Sequence, residues 1–167
     1  IVHDTATYWS FFGQCVIITL IQIGGMGVIT IGMAVMRASG MKIGLWHRST
    51  MQDSIAAPHV GGMVRLTGFI LKTTVLIELI GALLLLPVFC KDFGILKGIW
   101  YSLFHSISAF CNAGFDLFGD GRSLTGFSAD ALMCVTAIML VVIGGFGFGA
   151  LNDILKRRRF SRLRLHT

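Results

Sequence analysis

Two stretches without any charged side chain restrict what this chain can fold into more than any other feature. Residues 5–36 and 131–152 contain no Asp, Glu, Lys or Arg over 32 and 22 positions. Residues 66–90 form a third apolar stretch, interrupted only by Lys72 and Glu78. A helix of about 20 apolar residues spans the hydrocarbon core of a bilayer. The pattern therefore predicts an all-α integral membrane protein with three spans.

The composition supports the same fold class. Charged residues make up 13% of the chain, about half the roughly 25% of an ordinary soluble domain. The four cysteines are far apart and form no C-x-x-C pair, which excludes a zinc knuckle and a dithiol redox motif. The chain begins with Ile rather than Met, and we interpret it as a piece of a longer protein.

Residues 98–115 are uncharged but differ from the three predicted spans, because polar residues recur along them and they end beside a glycine. We interpret this segment as a short pore helix that enters the membrane and turns back. The polar residues are Ser102, His105, Ser106, Ser108 and Asn112.

The distribution of basic residues favours this re-entrant interpretation. If 98–115 turns back, ten basic residues lie on one side of the membrane and three on the other. If it spans, the division is five against eight, and the positive-inside pattern is lost. The ten are Arg37, Lys42, Arg48, Arg65, Lys156, Arg157, Arg158, Arg159, Arg162 and Arg164. The loop at 38–64 and the tail are therefore predicted to be cytoplasmic.

The chain also repeats itself at an offset of 120 positions. Residues 18–27 (ITLIQIGGMG) and 138–147 (IMLVVIGGFG) are identical at six of ten positions. Glycine in a membrane helix allows another backbone to approach closely, so these glycines are predicted to be structural. The paired positions are Gly24 and Gly144, Gly25 and Gly145, and Gly27 and Gly147.

The repeat predicts a division of the chain into helix–pore-loop–helix units. Residues 1–37 are the outer segment and last helix of a truncated first unit, and 38–64 are a cytoplasmic loop. Residues 65–153 are a complete second unit, and 154–167 are a basic cytoplasmic tail. Within the second unit we expect a span at 65–89, a pore helix at 98–111, a filter at 112–116 and a span at 130–153.

The turn after the predicted pore helix contains the residues that could coordinate an ion. Non-helical backbone at membrane depth is tolerated where it is buried in protein or lines a cavity, and carbonyl oxygens aimed at an axis can replace the hydration shell of K⁺. Gly114 suits such a turn because glycine adopts backbone angles that other residues resist. Asp116, just outside, would raise the local cation concentration. The alternative is a glycine-containing turn that binds no ion.

Several segments together resemble the membrane subunit of the Ktr/Trk family of potassium transporters. They are DTAT at 4–7, QIGGMG at 22–27, FHSISAFCNAGFD at 104–116, IGGFGF at 143–148 and the basic exit KRRR at 156–159. The resemblance covers essentially the whole chain. It implies a plasma-membrane protein with four such units, of which the third and fourth are missing here.

The resemblance also implies the site and the partners. The ion-contacting carbonyls would be those of Asn112 and Ala113, together with those of Cys111 and Gly114. Phe115 and Asp116 would lie at the pore mouth. K⁺ would be the transported ion and no cofactor is expected. The partners would be the lipid bilayer, a second copy of the full-length subunit and a cytosolic ring of nucleotide-binding regulators.

Other polar residues have simpler interpretations. Glu78 lies near mid-membrane, where a carboxyl group needs donors, so we expect it to contact the pore helix or loop near 106–114. The polar partners available in the pore helix include Ser106 and Ser108. His105 is expected to be a hydrogen-bonded packing residue rather than a metal ligand, and Ser128 or Asp130 to cap the last span.

Enzymatic activity is not expected. An intramembrane serine protease needs a Gly-x-Ser-Gly turn and a histidine on another span, and GFSA at 126–129 lacks the final glycine. The basic tail suits anionic lipid or a regulator better than nucleic acid. The leading hypothesis is K⁺ uptake through a pore with a backbone-carbonyl filter. The alternative is a non-conducting membrane scaffold whose loop only packs.

Overall fold

The computed structural model describes residues 3–27, 63–119 and 121–146. Every regular element in these ranges is helical, in agreement with the predicted all-α class. Several predicted parts of the chain lie outside the described residues. They are the basic tail, Gly147, nearly all of the 38–64 loop and the ends of the predicted spans that follow residues 27 and 146. The elements are α1 (Phe11–Met26), α2 (Met63–Phe93), α3 (Ile95–Phe110), a short 3₁₀ helix (Ser123–Phe127) and α4 (Ala131–Gly145).

The helix α2 contains the one described segment that is long and apolar enough to cross a bilayer, the 27 residues Thr67–Phe93. In the described ranges, α1 and α4 are apolar helices of 16 and 15 residues. The chain divides into two compact units. One comprises Ile1–Gly25 with Val75–Gly145 and holds the candidate site; the other comprises Met26–Thr74 with Phe146–Thr167 and includes the first turns of α2.

In the compact unit that holds the candidate site, the helices carry apolar side chains on the outside and polar side chains inside. Leu83 of α2 is 67% exposed and Ile138 of α4 is 61% exposed. The buried polar residues of this unit, beyond the N-terminal segment, are Glu78, Ser102, His105, Ser106, Ser108 and Thr136. A soluble domain has the opposite arrangement. The surface of this unit therefore suits lipid, and its interior contains these polar groups beside an apolar core.

A single residue reverses the chain between α2 and α3. Gly94 has φ 80°, and its N–H donates to the carbonyl of Cys90 at 3.1 Å. A Cβ on Gly98 would lie 2.8 Å from the Cα of Cys90, so the two helices are in close backbone contact. The helix α3 consequently begins at Ile95, three residues before the predicted start at 98, because Gly94 rather than Gly98 makes the turn.

The helices α1 and α3 lie side by side and run in the same direction. Trp100 Nε1 donates to Gln14 Oε1 at 3.0 Å near the start of both helices. Gly25 contacts Cys111 at the end of both. Gln14 and Gly25 are 11 positions apart, as are Trp100 and Cys111, so α1 follows α3 along its length.

Aromatic side chains hold the loop after α3 against the α2–α3 hairpin. Phe118 stacks on His105 with ring centroids 4.4 Å apart, and Phe127 meets Phe89 edge-on at 5.4 Å. Phe89 is fully buried in a cluster with Leu85, Val88 and Met133. The loop then leads into α4, whose first turn is capped by Asp130, since Oδ1 accepts the N–H of Met133 at 2.9 Å.

Candidate functional site

The turn at the end of α3 is a Schellman motif. Asn112 has φ 54°, in the left-handed region that asparagine tolerates better than most residues. Its N–H donates to the carbonyl of Ala109 at 3.1 Å, and the N–H of Ala113 donates to that of Ser108 at 2.9 Å. This pair of bonds ends a helix and turns the chain away from its axis. The predicted pore helix therefore ends at Phe110, with Cys111 as its C-cap.

Two side chains of α3 hold the chain after the turn. Ser108 Oγ donates to the carbonyl of Phe115 at 2.7 Å, and the N–H of Leu117 donates to His105 Nε2 at 3.3 Å. Because Nε2 accepts that bond, the ring proton lies on Nδ1, which donates to the carbonyl of Tyr101 at 2.7 Å. His105 is thus the hydrogen-bonded packing residue that we expected, and the chain returns alongside α3.

The carbonyl groups between these anchors are the chemically notable part of the site. Within the described residues, no hydrogen bond is accepted by the carbonyl oxygens of Cys111, Asn112, Ala113 or Gly114. Asn112 and Gly114 are exposed in this chain, and Cys111 and Ala113 are half-buried. These four successive unpaired carbonyls at a helix end are therefore available to a ligand that is coordinated by oxygen atoms, such as a cation.

Gly114 has φ 71°, a backbone conformation that favours glycine. A Cβ at this position would meet no described atom within 4 Å. Among the described residues, the requirement for glycine here comes from the backbone angle and not from crowding.

A cavity of about 210 Å³ lies between the turn, the loop that follows it and α4. It brings together Asn112, Gly114, Phe115 and Asp116, together with Ser108 and the α4 residues Met133, Ala137 and Val141. Asp116 lines this cavity, and its Oδ1 also accepts the N–H of Phe118 at 3.1 Å. Of the predicted site residues, Cys111 and Ala113 do not line it.

Glu78 is buried and contacts the end of α3, as expected, but its carboxyl group is bonded to other side chains than Ser106 and Ser108. Gln22 Nε2 lies 2.8 and 2.9 Å from the two carboxyl oxygens, and Cys111 Sγ lies 3.9 Å from Oε1. The hydroxyl of Ser106 donates to the main-chain carbonyl of Glu78 at 2.7 Å. The expectation that Ser106 and Ser108 would serve the carboxyl group was wrong, because both hydroxyls bind main-chain oxygens.

Sequence reasoning missed Gln22. The available signal was that it is a long polar side chain within the 32-residue charge-free run, five positions before Gly27, the third glycine of the first repeat. A glutamine in a membrane helix needs a polar partner, and Glu78 is the carboxyl group within the other long span.

The paired glycines of the repeat contact α3 from two helices. In α1 the second glycine, Gly25, lies so close to Cys111 that a Cβ would be 2.6 Å from the Cβ of Cys111. In α4 the first glycine, Gly144, lies against the main chain of Phe110, and a Cβ there would overlap its carbonyl oxygen. Gly24 and Gly145 have no described neighbour within 4 Å of a Cβ. Gly27 also has none, and its φ is 80°.

The chain matches the TrkH family, described as a cation transport protein, over residues 1–167. The chain belongs to the TrkH family. The resemblance seen in the sequence is thereby confirmed, and the family consists of membrane transporters rather than enzymes.

Three relatives of this TrkH-family chain are potassium uptake proteins by name. The potassium/sodium uptake protein NtpJ of Enterococcus hirae is 39% identical over 164 residues, which are 98% of this chain and 36% of the relative. The Ktr system potassium uptake protein B of Bacillus subtilis is 40% identical over 166 residues, 99% of this chain and 37% of the relative. The protein of the same name in Vibrio alginolyticus is 32% identical over 168 residues. The chain thus spans little more than a third of these relatives.

Proposed function

We propose that this chain forms part of a K⁺ uptake pathway across the plasma membrane. The carbonyl oxygens of Asn112 and Ala113, with those of Cys111 and Gly114, would contact the ion. The observation that carries the proposal is the turn after α3, where these four carbonyls accept no hydrogen bond from the described residues. The names of the relatives supply the ion.

The electrostatics of the turn suit a cation. The C-terminal end of a helix carries a partial negative charge of about half an elementary charge, and α3 ends directly at the turn. Carbonyl oxygens can replace the water around K⁺ without a formal charge that would hold the ion too tightly to release it. Asp116, which lines the adjoining cavity, would attract cations to the outer mouth beside Phe115.

The packing of the glycines supports a ring of similar units. The helices α1 and α4 are the two copies of the repeat, and each places one glycine against the end of the same pore helix. A Cβ on the other glycine of each pair, Gly24 or Gly145, would meet no described atom within 4 Å. In a ring, Gly24 would meet the pore-helix end of the preceding unit and Gly145 that of the following unit.

The proposed topology places the start of α1 and the loop at 117–128 outside, and the loop at 38–64 and the tail in the cytoplasm. The parallel course of α1 and α3 supports it, because a span and a pore helix that both enter from outside run in the same direction. We further propose that the full-length subunit pairs with a second copy and docks a cytosolic nucleotide-binding ring. The domain division remains that stated from the sequence.

A cysteine-accessibility scan tests this topology. In intact cells expressing the full-length protein without its own cysteines, a membrane-impermeant thiol reagent is expected to label cysteines introduced at 121–126. Cysteines at 40–60 should react only after the membrane is permeabilised. Protection of 121–126 in intact cells, with labelling after permeabilisation, would mean that 98–115 spans the membrane and would remove the basis for a filter.

Transport by the full-length protein tests the function itself. Expression in cells that lack K⁺ uptake systems should restore growth at low external K⁺ and produce saturable K⁺ uptake. Reconstituted liposomes provide the control, since a K⁺ flux there excludes an indirect effect on another transporter. A protein that reaches the membrane in normal amount but yields no flux in either assay would favour the scaffold alternative.

A further inference from the structure

Two helices, α1 and α2, converge on the side chain of Cys111. Gln22 Oε1 of α1 and Glu78 Oε1 of α2 each lie 3.9 Å from Cys111 Sγ. The backbone of Gly25, one turn beyond Gln22 on α1, packs against the same side chain. Cys111 is the C-cap of α3 and immediately precedes Asn112, where the turn begins.

The orientation of the Gln22 amide depends on Glu78. Its Nε2 group lies 2.8 and 2.9 Å from the two carboxyl oxygens, and this leaves Oε1 directed to the cysteine. A thiol is a weak hydrogen-bond donor, so neither sulfur contact is strong alone. Their combination with the backbone of Gly25 surrounds Cys111 on the sides that face α1 and α2.

A displacement of Cys111 would move the turn. The bonds from Asn112 and Ala113 back to Ala109 and Ser108 span this residue, so its backbone cannot shift without changing them. The carbonyl groups that would contact the ion belong to Cys111 itself and to the three residues that follow it. Selection between ions depends on the number and placement of such carbonyls.

We propose that Gln22 and Glu78 are positioning residues, which set the ion preference of the filter by holding Cys111 in place. This proposal rests on the proposed K⁺ transport. It assigns a role to Gln22, a residue of the preceding unit, in shaping the turn of the next one. The pair would therefore couple two neighbouring units at the level of the filter.

The decisive variants alter the pair without altering the turn. In the full-length protein, Gln22→Leu removes the amide and is expected to raise the apparent KM for K⁺, or the inhibition by Na⁺, by about fivefold or more, with maximal uptake reduced less. Glu78→Gln should be milder than Glu78→Leu, because an amide still accepts a hydrogen bond. The exchange of both residues, Gln22→Glu with Glu78→Gln, restores an amide–carboxyl pair and should return both values to within about twofold of the original.

Gln14→Leu is the matched control. Gln14 is also a glutamine of α1 bonded to α3, but its partner is Trp100, 11 positions before Cys111. It should reduce the amount of protein in the membrane without changing ion preference. Equal changes in ion preference for Gln14→Leu and Gln22→Leu would overturn the proposal, as would unchanged kinetics for Gln22→Leu at normal abundance.

A second measurement separates this proposal from the proposed function. With every other cysteine replaced by serine, the rate at which N-ethylmaleimide modifies Cys111 reports directly on how the residue is held. The rate should rise several-fold in Gln22→Leu and return nearly to its original value in the exchanged pair. An unchanged rate would overturn the positioning role even if K⁺ transport is intact. A raised rate in a protein that moves no K⁺ would refute the proposed function, and with it the effect on ion preference.

Discussion

Replacing Gly144 by alanine is expected to remove most of the folded protein from the membrane. An added Cβ would overlap the carbonyl oxygen of Phe110 and lie 2.9 Å from its carbonyl carbon. The atoms that it meets belong to the main chain at the end of α3, so no side-chain rotation can relieve the contact. Overpacking of this kind costs about 1–3 kcal/mol, a large fraction of the roughly 5–15 kcal/mol that stabilises a typical protein.

The amount of full-length protein in detergent-solubilised membranes, and its thermal midpoint, measure this effect. Val135→Ala is the control, because Val135 lies on the same helix and is 60% exposed. We expect several-fold less protein for Gly144→Ala and little change for Val135→Ala. Normal abundance and stability of Gly144→Ala would show that α4 does not pack against the end of α3 as described.

Replacing Gly114 by valine is expected to weaken the preference for K⁺ rather than to prevent folding. The φ of 71° places Gly114 in the left-handed region, which costs a residue with a Cβ about 1–2 kcal/mol. A Cβ there would meet no atom of the described residues within 4 Å, so the strain would be relieved by movement of the turn. The apparent KM for K⁺ should rise by about tenfold, or Na⁺ should compete more effectively.

Gly114→Asn separates backbone strain from the loss of glycine as such. Asparagine tolerates the left-handed region better than valine does, so its effect on the KM for K⁺ should be clearly smaller. Both variants should reach the membrane in nearly normal amounts. If K⁺ affinity and selectivity are unchanged in Gly114→Val at normal abundance, Gly114 is an ordinary turn residue and the ion site lies elsewhere.

The helix α3 shows which features of this fold the local sequence can predict. Its position followed from an uncharged segment rich in serine, and the structure has a helix there, Ile95–Phe110. The predicted start at residue 98 differs from the observed start at Ile95, because two glycines, Gly94 and Gly98, lie near it. The positive φ of Gly94 and the close contact of Gly98 with Cys90 distinguish the turn residue from the packing residue, and both depend on how α2 and α3 lie together.

Glu78 and the repeated glycines show the same division. Sequence predicted that Glu78 would be buried among polar groups near 106–114, because an isolated carboxyl group in a membrane is costly. It did not identify Gln22, which is 56 positions away and becomes a neighbour only when α1 packs beside α2 and α3. The glycine pairs were predicted to be structural, but which glycine of each pair contacts α3 was not predictable.

The sequence by itself determined the membrane class, the helical segments of the described residues and the family, because charge-free length, glycine spacing and the 104–116 motif are properties of consecutive residues. Only the tertiary structure decided which polar groups satisfy one another. Ser106 and Ser108 donate to main-chain oxygens, and Gln22 donates to the carboxyl group of Glu78. Hydrogen bonds have ranges of about 3 Å, so partners distant along the chain are selected by helix packing, which periodicity and composition do not specify.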